Sequence, residues 1–142
     1  MKTKYEHSVK NFMQKKVFTI TSDKSIVDVA KLMSDKAISC VVVVDKGKPI
    51  GIVTERDLAK AIVRNSDLTP VRVGDIMSKP LLSIVPDTNI VHAARLMKEK
   101  NIRRFPVLEG EKLVGLITET DIMRAMIELI RHINFKLVNT EM

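Results

Sequence analysis

The sequence predicts a mixed α/β fold, of the kind also filed as α+β, in which one β-α-β-β-α unit occurs twice. The first observation is an internal repeat, because the heptad GIVTERD at Gly51–Asp57 returns as GLITETD at Gly115–Asp121, 64 residues later. The second is that short β-branched runs alternate with stretches of helical periodicity in both copies. A repeated unit of this size buries too little surface alone, so we expect the two copies to share one core.

Two copies, a connector and a tail divide the chain of 142 residues. The first copy is expected at residues 9–63 and the second at residues 73–126, separated by a polar connector that contains Pro70. Residues 127–142 then form a helical tail. A length of this order suits one module that holds both repeats.

The first copy is expected to place a strand ahead of the helix Ser25–Lys36, where apolar residues recur at helical spacing. Ser25 with Asp28 three residues later resembles a capping box, which marks a helix start. The β-branched run Ser39–Val44 predicts a buried strand. A turn, a further strand and the start of a second helix follow at residues 45–48, Pro49–Val53 and Thr54.

The second copy repeats this order and then continues as a longer helix. Its helix, strand, turn, strand and final helix are expected at Asn89–Lys100, Arg103–Leu108, 109–111, Lys112–Ile117 and from Thr118 onward. Past the end of the repeat, apolar residues keep helical spacing at Leu129, Ile130, Ile133 and Leu137. Because nothing else in the chain remains to cover this stripe, self-association is favoured over packing within the chain.

Composition narrows the class of protein. Hydrophobic residues make up 45% and charged residues 29%, a globular balance, and no apolar run is long enough to cross a membrane. The net charge of +7 suggests an anionic partner such as a nucleotide, a nucleic acid or an acidic protein, although scattered lysines also fit a solvated surface. Cys40 is the only cysteine and the N-terminus lacks a signal-type apolar stretch, which together fit a cytoplasmic protein.

Neither a metal site nor a catalytic centre is predicted. His7, His92 and His132 are far apart in sequence, and no HxxxH or CxxC spacing occurs. No nucleophile–base motif is present, and Cys40 in a β-branched strand is most simply a core residue. The sequence therefore does not predict an enzyme.

The heptad predicts a polar site where a strand ends and a helix begins. The first backbone N–H groups of a helix are expected to be unpaired, and with the helix dipole they favour an anion such as phosphate. The hydroxyl of Thr54 or Thr118 adds a donor, and the carboxylate of Asp57 or Asp121 can accept two hydrogen bonds from a ribose diol. The same spacing is close to a capping box, so a ligand site and a duplicated helix cap are both open.

The ordered set of motifs resembles a tandem pair of cystathionine-β-synthase-type (CBS) domains, also called a Bateman module, over residues 9–126. The motifs, present in both copies, are Met13 and Met77, Asp23-x-x-Ile26 and Asp87-x-x-Ile90, the strands from Ile38 and Ile102, and the two heptads. The resemblance implies that the copies pack about a pseudo-twofold axis and leave two clefts. Such clefts commonly bind AMP, ADP, ATP, NAD or S-adenosylmethionine, and no further cofactor is implied.

The resemblance also implies roles for individual residues. Asp57 and Asp121 would hold ribose hydroxyls, while Thr54 and Thr118 would face ribose or phosphate. The loop before the first helix and the start of the next strand would enclose the adenine. The expected ligand contacts are Phe18, Ile38, Ser39, Thr54, Arg56, Asp57, Leu82, Ile102, Arg103, Thr118, Thr120 and Asp121.

The two sites are expected to be unequal because the copies differ at matching positions. Ser39, Cys40 and Arg56 of the first copy are replaced by Arg103, Arg104 and Thr120 of the second. Neighbouring strand residues point to opposite faces, so only one of the two arginines can reach a given cleft. An arginine there favours binding of a phosphate chain. The alternative, given equal weight, is that both arginines are ordinary surface residues. We expect the cleft that uses the second copy's strand to bind phosphate better.

The sequence therefore predicts a regulatory module that senses an adenine nucleotide or a related ligand and signals to a separate effector protein. The module is expected to form a homodimer through its faces and its C-terminal helix. Nucleic-acid binding is an alternative that the charge supports, but aromatic residues are only 4% of the chain, so stacking platforms are scarce. A ligand-free interaction scaffold is the other alternative, and it leaves the two aspartates without a purpose.

Overall fold

The computed structural model describes residues 7–140, and these form two compact units. One unit is Val17–Leu82, and the other joins the chain up to Lys16 to the chain from Ser83 onward. The units therefore divide the chain differently from the sequence copies, because the leading segment of each copy groups with the other copy. The buried clusters lie within single units, whereas the sequence predicted one shared core. We call these leading segments, which group with the other copy, the exchanged segments. Each contains apolar residues that are buried in the unit it joins, such as Val9 and Val73.

The unit Val17–Leu82 contains a three-stranded sheet and three helices. Its elements are β1 (Thr19–Thr21), α1 (Ile26–Lys36), β2 (Cys40–Asp45), β3 (Lys48–Thr54), α2 (Glu55–Arg64) and the short α3 (Val73–Ile76). Strand β1 runs parallel to β2, and β2 pairs antiparallel with β3. The predicted order of strands and helices in this copy is confirmed, with ends that move by one residue.

Helix α1 shows why these local signals were reliable. The Ser25 hydroxyl accepts from the Asp28 N–H, and Asp28 Oδ2 accepts from the Ser25 N–H at 3.1 Å, which completes the capping box. The same backbone hydrogen bond lowers the pKa of Asp28. Val29 and Met33 on the inner face pack in one buried cluster with Val41 and other residues of the sheet.

The other unit contains the corresponding elements of the second copy. A 3-10 helix at Val9–Asn11 is followed by α4 (Ile90–Lys100), β4 (Arg104–Glu109), β5 (Lys112–Thr118) and α5 (Glu119–Thr140), and β4 pairs antiparallel with β5. The predicted first strand of this copy is reduced to one parallel bridge between Ile84 and Val107. In the first copy Val42 N–H donates to Phe18 O at 3.2 Å, but Pro106 at the equivalent position has no N–H to donate.

The glycine of each heptad admits the exchanged segment. A Cβ added at Gly51 would lie 2.8 Å from the Met77 sulfur and 3.0 Å from the Ser78 carbonyl oxygen. The absence of that Cβ lets Ser78 form an antiparallel bridge with Ile52, with N···O distances of 2.8 and 3.2 Å. The same packing recurs in the other unit at Gly115, Met13, Gln14 and Leu116. The methionine and the glycine therefore recur in both copies because the methionine side chain packs against the glycine.

Helix α5 is much longer than its sister α2, with 22 residues against 10. Its first turns pack on the unit through Ile122 and Ala125, which are buried. Beyond them, large apolar side chains are between 48% and 68% exposed at Ile127, Ile130, Ile133, Phe135, Leu137 and Val138. Among the described residues, no helix is both long enough and apolar enough to span a membrane.

Candidate functional site

The first heptad forms a complete helix cap in the unit Val17–Leu82. Thr54 Oγ1 accepts from the Asp57 N–H at 3.3 Å, and Asp57 Oδ2 accepts from the Thr54 N–H at 2.9 Å. Ser78 Oγ, on the exchanged segment, donates to Asp57 Oδ1 at 3.0 Å. The capping interpretation is confirmed, and a half-buried carboxylate that already accepts from the hydroxyls of Thr54 and Ser78 lies at the start of α2.

The second heptad forms the same contacts in a more enclosed setting. Asp121 Oδ2 accepts from the Thr118 N–H and the Thr118 hydroxyl, both at 2.9 Å, and from Gln14 Nε2 at 3.3 Å. Asp121 Oδ1 pairs with Arg124 Nη2 at 3.0 Å, and the Asp121 side chain is only 2% exposed. A ribose could reach this carboxylate only if Gln14 or Arg124 released it, so Asp57 is the more available of the two acids.

The first-turn amides are less open than the sequence predicted. The Glu55 N–H donates to Ser39 O at 3.1 Å, and the Glu119 N–H donates to Arg103 O at 2.8 Å. The third amide of each helix is taken by the threonine hydroxyl of its box. The expectation of unpaired amides is therefore wrong at these positions, because the carbonyl at the start of the neighbouring strand caps the helix. Any anion here must rely on side chains more than on the backbone.

The remaining first-copy residues lie in the same unit as Thr54 and Asp57. Phe18 is half-buried just before β1, and Lys36 Nζ lies 5.7 Å from its ring centroid, within the range of a cation–π contact. Ile38 is half-buried beside the core, and its N–H donates to Met33 O at 3.0 Å. The Ser39 carbonyl oxygen accepts a hydrogen bond from the first amide of α2.

The second-copy residues fall in both units. Ile102, Thr118 and Asp121 belong to one unit, and the Ile102 N–H donates to Met97 O at 2.9 Å. Leu82 is exposed and is the last residue of the unit Val17–Leu82.

The two heptad residues at the sixth position are both exposed. Arg56 lines an open depression of about 360 Å³ on α2 with Ala59, Lys60, Val63 and Arg64. Thr120 lies in the first turn of α5.

The two arginines of the second copy differ sharply. The Arg103 side chain is 76% exposed, with its Nε 4.0 Å from Glu119 Oε2. Arg104 is half-buried and begins β4 opposite Thr118, and its Nε is buried without a hydrogen-bond partner among the residues that the structure describes. Arg104, which was not among the expected contacts, is therefore the arginine with an unused donor.

Sequence reasoning also missed the residues that hold the aspartates. Ser78 and Gln14 contact Asp57 and Asp121, respectively, and they occupy equivalent positions in the two copies. Each directly follows a repeated methionine, which was the available signal. Their side chains differ, so only the position and not the residue type recurs.

The structure brings two histidines together but assembles no metal cluster in residues 7–140. His7 and His132 have ring centroids 6.3 Å apart, although they are distant in sequence. His92 is exposed on α4. Within the described range no group of three or more His, Cys, Asp or Glu side chains has the geometry to hold a metal ion.

Comparison with known proteins finds similarity over most of the chain. The family model described as "CBS domain" matches residues 9–64 and 73–128. An uncharacterized protein of Methanopyrus kandleri, MK0525, is 36% identical over 120 residues, which cover 82% of this chain and 61% of that protein. The chain spans less than two thirds of the length of the first curated relatives it matches.

Two solved structures share the fold and contain ligands. The CBS domain pair of protein MJ0100, in complex with 5-methylthioadenosine and S-adenosyl-L-methionine, has a TM-score of 0.77 at 31% identity and covers 84% of this chain and 98% of that one. CBSX2 in complex with AMP has a TM-score of 0.77 at 27% identity, with coverage of 87% and 98%.

Proposed function

The chain belongs to the CBS domain family as a tandem pair, and on this premise we propose that it is a regulatory module that senses an adenosine-containing ligand. AMP, ADP and ATP are the ligands we favour, with NAD and S-adenosylmethionine in the same class. The duplicated box carries the proposal, because it holds an aspartate at the start of both α2 and α5. The adenosyl ligands of MJ0100 and CBSX2 support it.

Asp57 is the residue we assign to ribose in the unit Val17–Leu82. Its Oδ1 accepts a hydroxyl from Ser78 at 3.0 Å, and a ribose hydroxyl is a donor of the same kind. Its Oδ2 is held by Thr54, which keeps the carboxylate oriented while Oδ1 exchanges partners. Asp121 takes the equivalent role in the other unit once Gln14 or Arg124 yields its place.

Ligand binding would then be linked to the docking of the exchanged segment. A ribose that displaces Ser78 from Asp57 removes one of the contacts that fix residues 77–78 on β3. A ligand can shift a conformational equilibrium only through its different affinities for the two states. Competition between ribose and Ser78 for one carboxylate supplies such a difference.

The output of the module passes to a separate effector protein in this proposal. We also propose a homodimer through the module faces and α5, because the outer part of α5 exposes Ile130, Ile133 and Leu137. A cytoplasmic location remains a prediction that rests on the single cysteine. Nucleic-acid binding is the competing function, and the observation that favours it is the row of cations Arg56, Lys60 and Arg64 on α2.

Thermal unfolding with a ligand panel tests the proposal. AMP, ADP, ATP, NAD and S-adenosylmethionine are added separately, and a specific ligand at a hundredfold excess over Kd should stabilise the fold by about 2.7 kcal/mol. Asp57→Asn should reduce this gain, because the single amide oxygen can still cap the helix while the NH2 group in place of the second oxygen cannot accept a hydrogen bond from ribose.

The matched control is Asp28→Asn, which changes the acid of a capping box that no ligand is proposed to touch. This variant should keep the full ligand-induced shift. If Asp57→Asn and Asp121→Asn in combination shift as much as the parent protein, the carboxylates are helix caps and the ribose assignment fails.

A further inference from the structure

Two histidines that are far apart in sequence meet within one unit. His7 precedes the 3-10 helix Val9–Asn11 and His132 lies in the outer part of α5, yet both belong to the unit that includes the chain from Ser83 onward. Their ring centroids are 6.3 Å apart, and the ring planes are inclined by 60°. Two imidazoles that bind one zinc ion, at Zn–N distances of about 2.0–2.1 Å, have centroids about 5–6.5 Å apart. The spacing of the pair therefore fits two ligands of one ion.

His7 carries a ring nitrogen that the rest of the unit does not use. Its Nδ1 is buried and forms no hydrogen bond within residues 7–140. In the tautomer with its proton on Nε2, Nδ1 offers a lone pair that can accept a hydrogen bond or bind a metal ion. Leaving a buried polar atom unsatisfied is unfavourable, so a metal ion at Nδ1 would remove a cost that the protein otherwise carries.

Both histidines start from anchored backbone. The His7 carbonyl oxygen accepts from the Ile90 N–H at 2.9 Å, and the next residue, Ser8, forms an antiparallel bridge with Asn89. His132 is half-buried and is held by the helix α5. A metal ion needs only one nitrogen of each ring, so the second nitrogen remains available for a hydrogen bond that orients the ring.

We propose that His7 and His132 form a binding site for a transition-metal ion of the zinc class. Imidazole ligands suit Zn²⁺, Ni²⁺ and Cu²⁺, whereas Mg²⁺ and Ca²⁺ prefer oxygen. Glu128 is exposed one turn before His132, and residues four apart on a helix share a face, so its carboxylate can turn to supply a third ligand. Two histidines and one glutamate, with water in the fourth position, are a ligand set that proteins use for zinc.

The ion would tie His7 to the outer part of α5. The buried residues of α5 end at Ala125, so His132 lies beyond the part that the core of the unit holds. A metal ion that binds only the docked arrangement stabilises it by mass action. Zinc should therefore slow hydrogen exchange of the α5 backbone around His132, and this effect does not depend on any nucleotide.

Titration of the full chain, prepared without a histidine tag, with zinc chloride tests the site by calorimetry. The parent protein should bind one Zn²⁺ per chain. His7→Gln and His132→Gln remove one ligand each, and each should raise the Kd for zinc by about tenfold or more. His92→Gln is the matched control, because it removes the exposed histidine of α4 in the same unit and should leave the Kd within about twofold.

A second readout needs only the parent protein and stands if a glutamine variant fails to fold. The imidazole proton signals of His7 and His132 should shift together in the NMR spectrum as one equivalent of zinc is added. The signals of His92 should stay in place. Glu128→Gln should weaken zinc binding by a smaller factor than loss of either histidine, since water can take the place of its oxygen.

Three results would overturn the proposal. No zinc binding by the parent protein would leave the two rings as an aromatic contact only. A Kd that is unchanged in both His7→Gln and His132→Gln would place the ion elsewhere on the chain. A zinc-dependent shift of the His92 signals, with those of His7 and His132 unmoved, would do the same.

Discussion

At the scale of single residues, Asp57 and Asp121 share a motif but not an environment. Asp57 is half-buried, and its hydrogen bonds within residues 7–140 come only from neutral donors on Thr54 and Ser78. Asp121 is 2% exposed and binds both a neutral amide and the Arg124 guanidinium. The repeat predicted both carboxylates and their caps. It did not predict this difference, because the residues that contact the two carboxylates have different side chains in the two copies.

Alanine at the two positions should therefore cost different amounts of stability. Asp57→Ala removes one helix cap and should lower the free energy of unfolding by about 1 kcal/mol. Asp121→Ala removes a cap together with the charge-assisted hydrogen bonds of a buried carboxylate and should lower it by about 3 kcal/mol. Urea unfolding monitored by circular dichroism measures both values. Equal losses would show that burial of Asp121 adds nothing to its cap.

At the scale of elements, the sequence predicted the bounds of helices and strands best where a local motif marks where the element begins or ends. The Ser25–Asp28 capping box located α1, and the β-branched run located β2. The exchange of leading segments was not predictable in this way, because a repeat shows that Met13 and Met77 are equivalent but not which copy each contacts. The choice between Arg103 and Arg104 was not decided by the sequence for a related reason, since alternation separates two faces without telling which one is buried.

The outer part of α5 is the element with an expected partner. Truncation after Met126 should abolish the proposed dimer in light scattering, and so should Ile130→Lys combined with Leu137→Lys, because these apolar side chains are 55% and 57% exposed. The unfolding free energy of the remaining module should change little, since the buried residues of α5 end at Ala125.

Asn139→Lys adds a single positive charge on a different side of the helix and serves as the control. This variant should remain dimeric. A dimer that survives the truncation would place the interface on the module faces alone.

At the scale of the whole molecule, a charge of +7 leaves two functions to compare. Nucleic-acid binding would weaken steeply with salt and would depend on cations such as Arg56 and Lys60. Ligand sensing would depend on the carboxylates of the two capping boxes. The family, the fold and the duplicated box favour the second function. The two carboxylates belong to that function alone, so their substitution separates the functions.

The most direct measurement is the stoichiometry of adenosine and AMP binding by isothermal titration calorimetry. Ligand sensing at the two boxes predicts two binding events for each parent chain, one for each of the single variants Asp57→Asn and Asp121→Asn, and none for the double variant. Folding of each variant is checked by its thermal unfolding transition. A folded double variant that still binds with the parent's stoichiometry and affinity would contradict the central claim that these aspartates read a ribose.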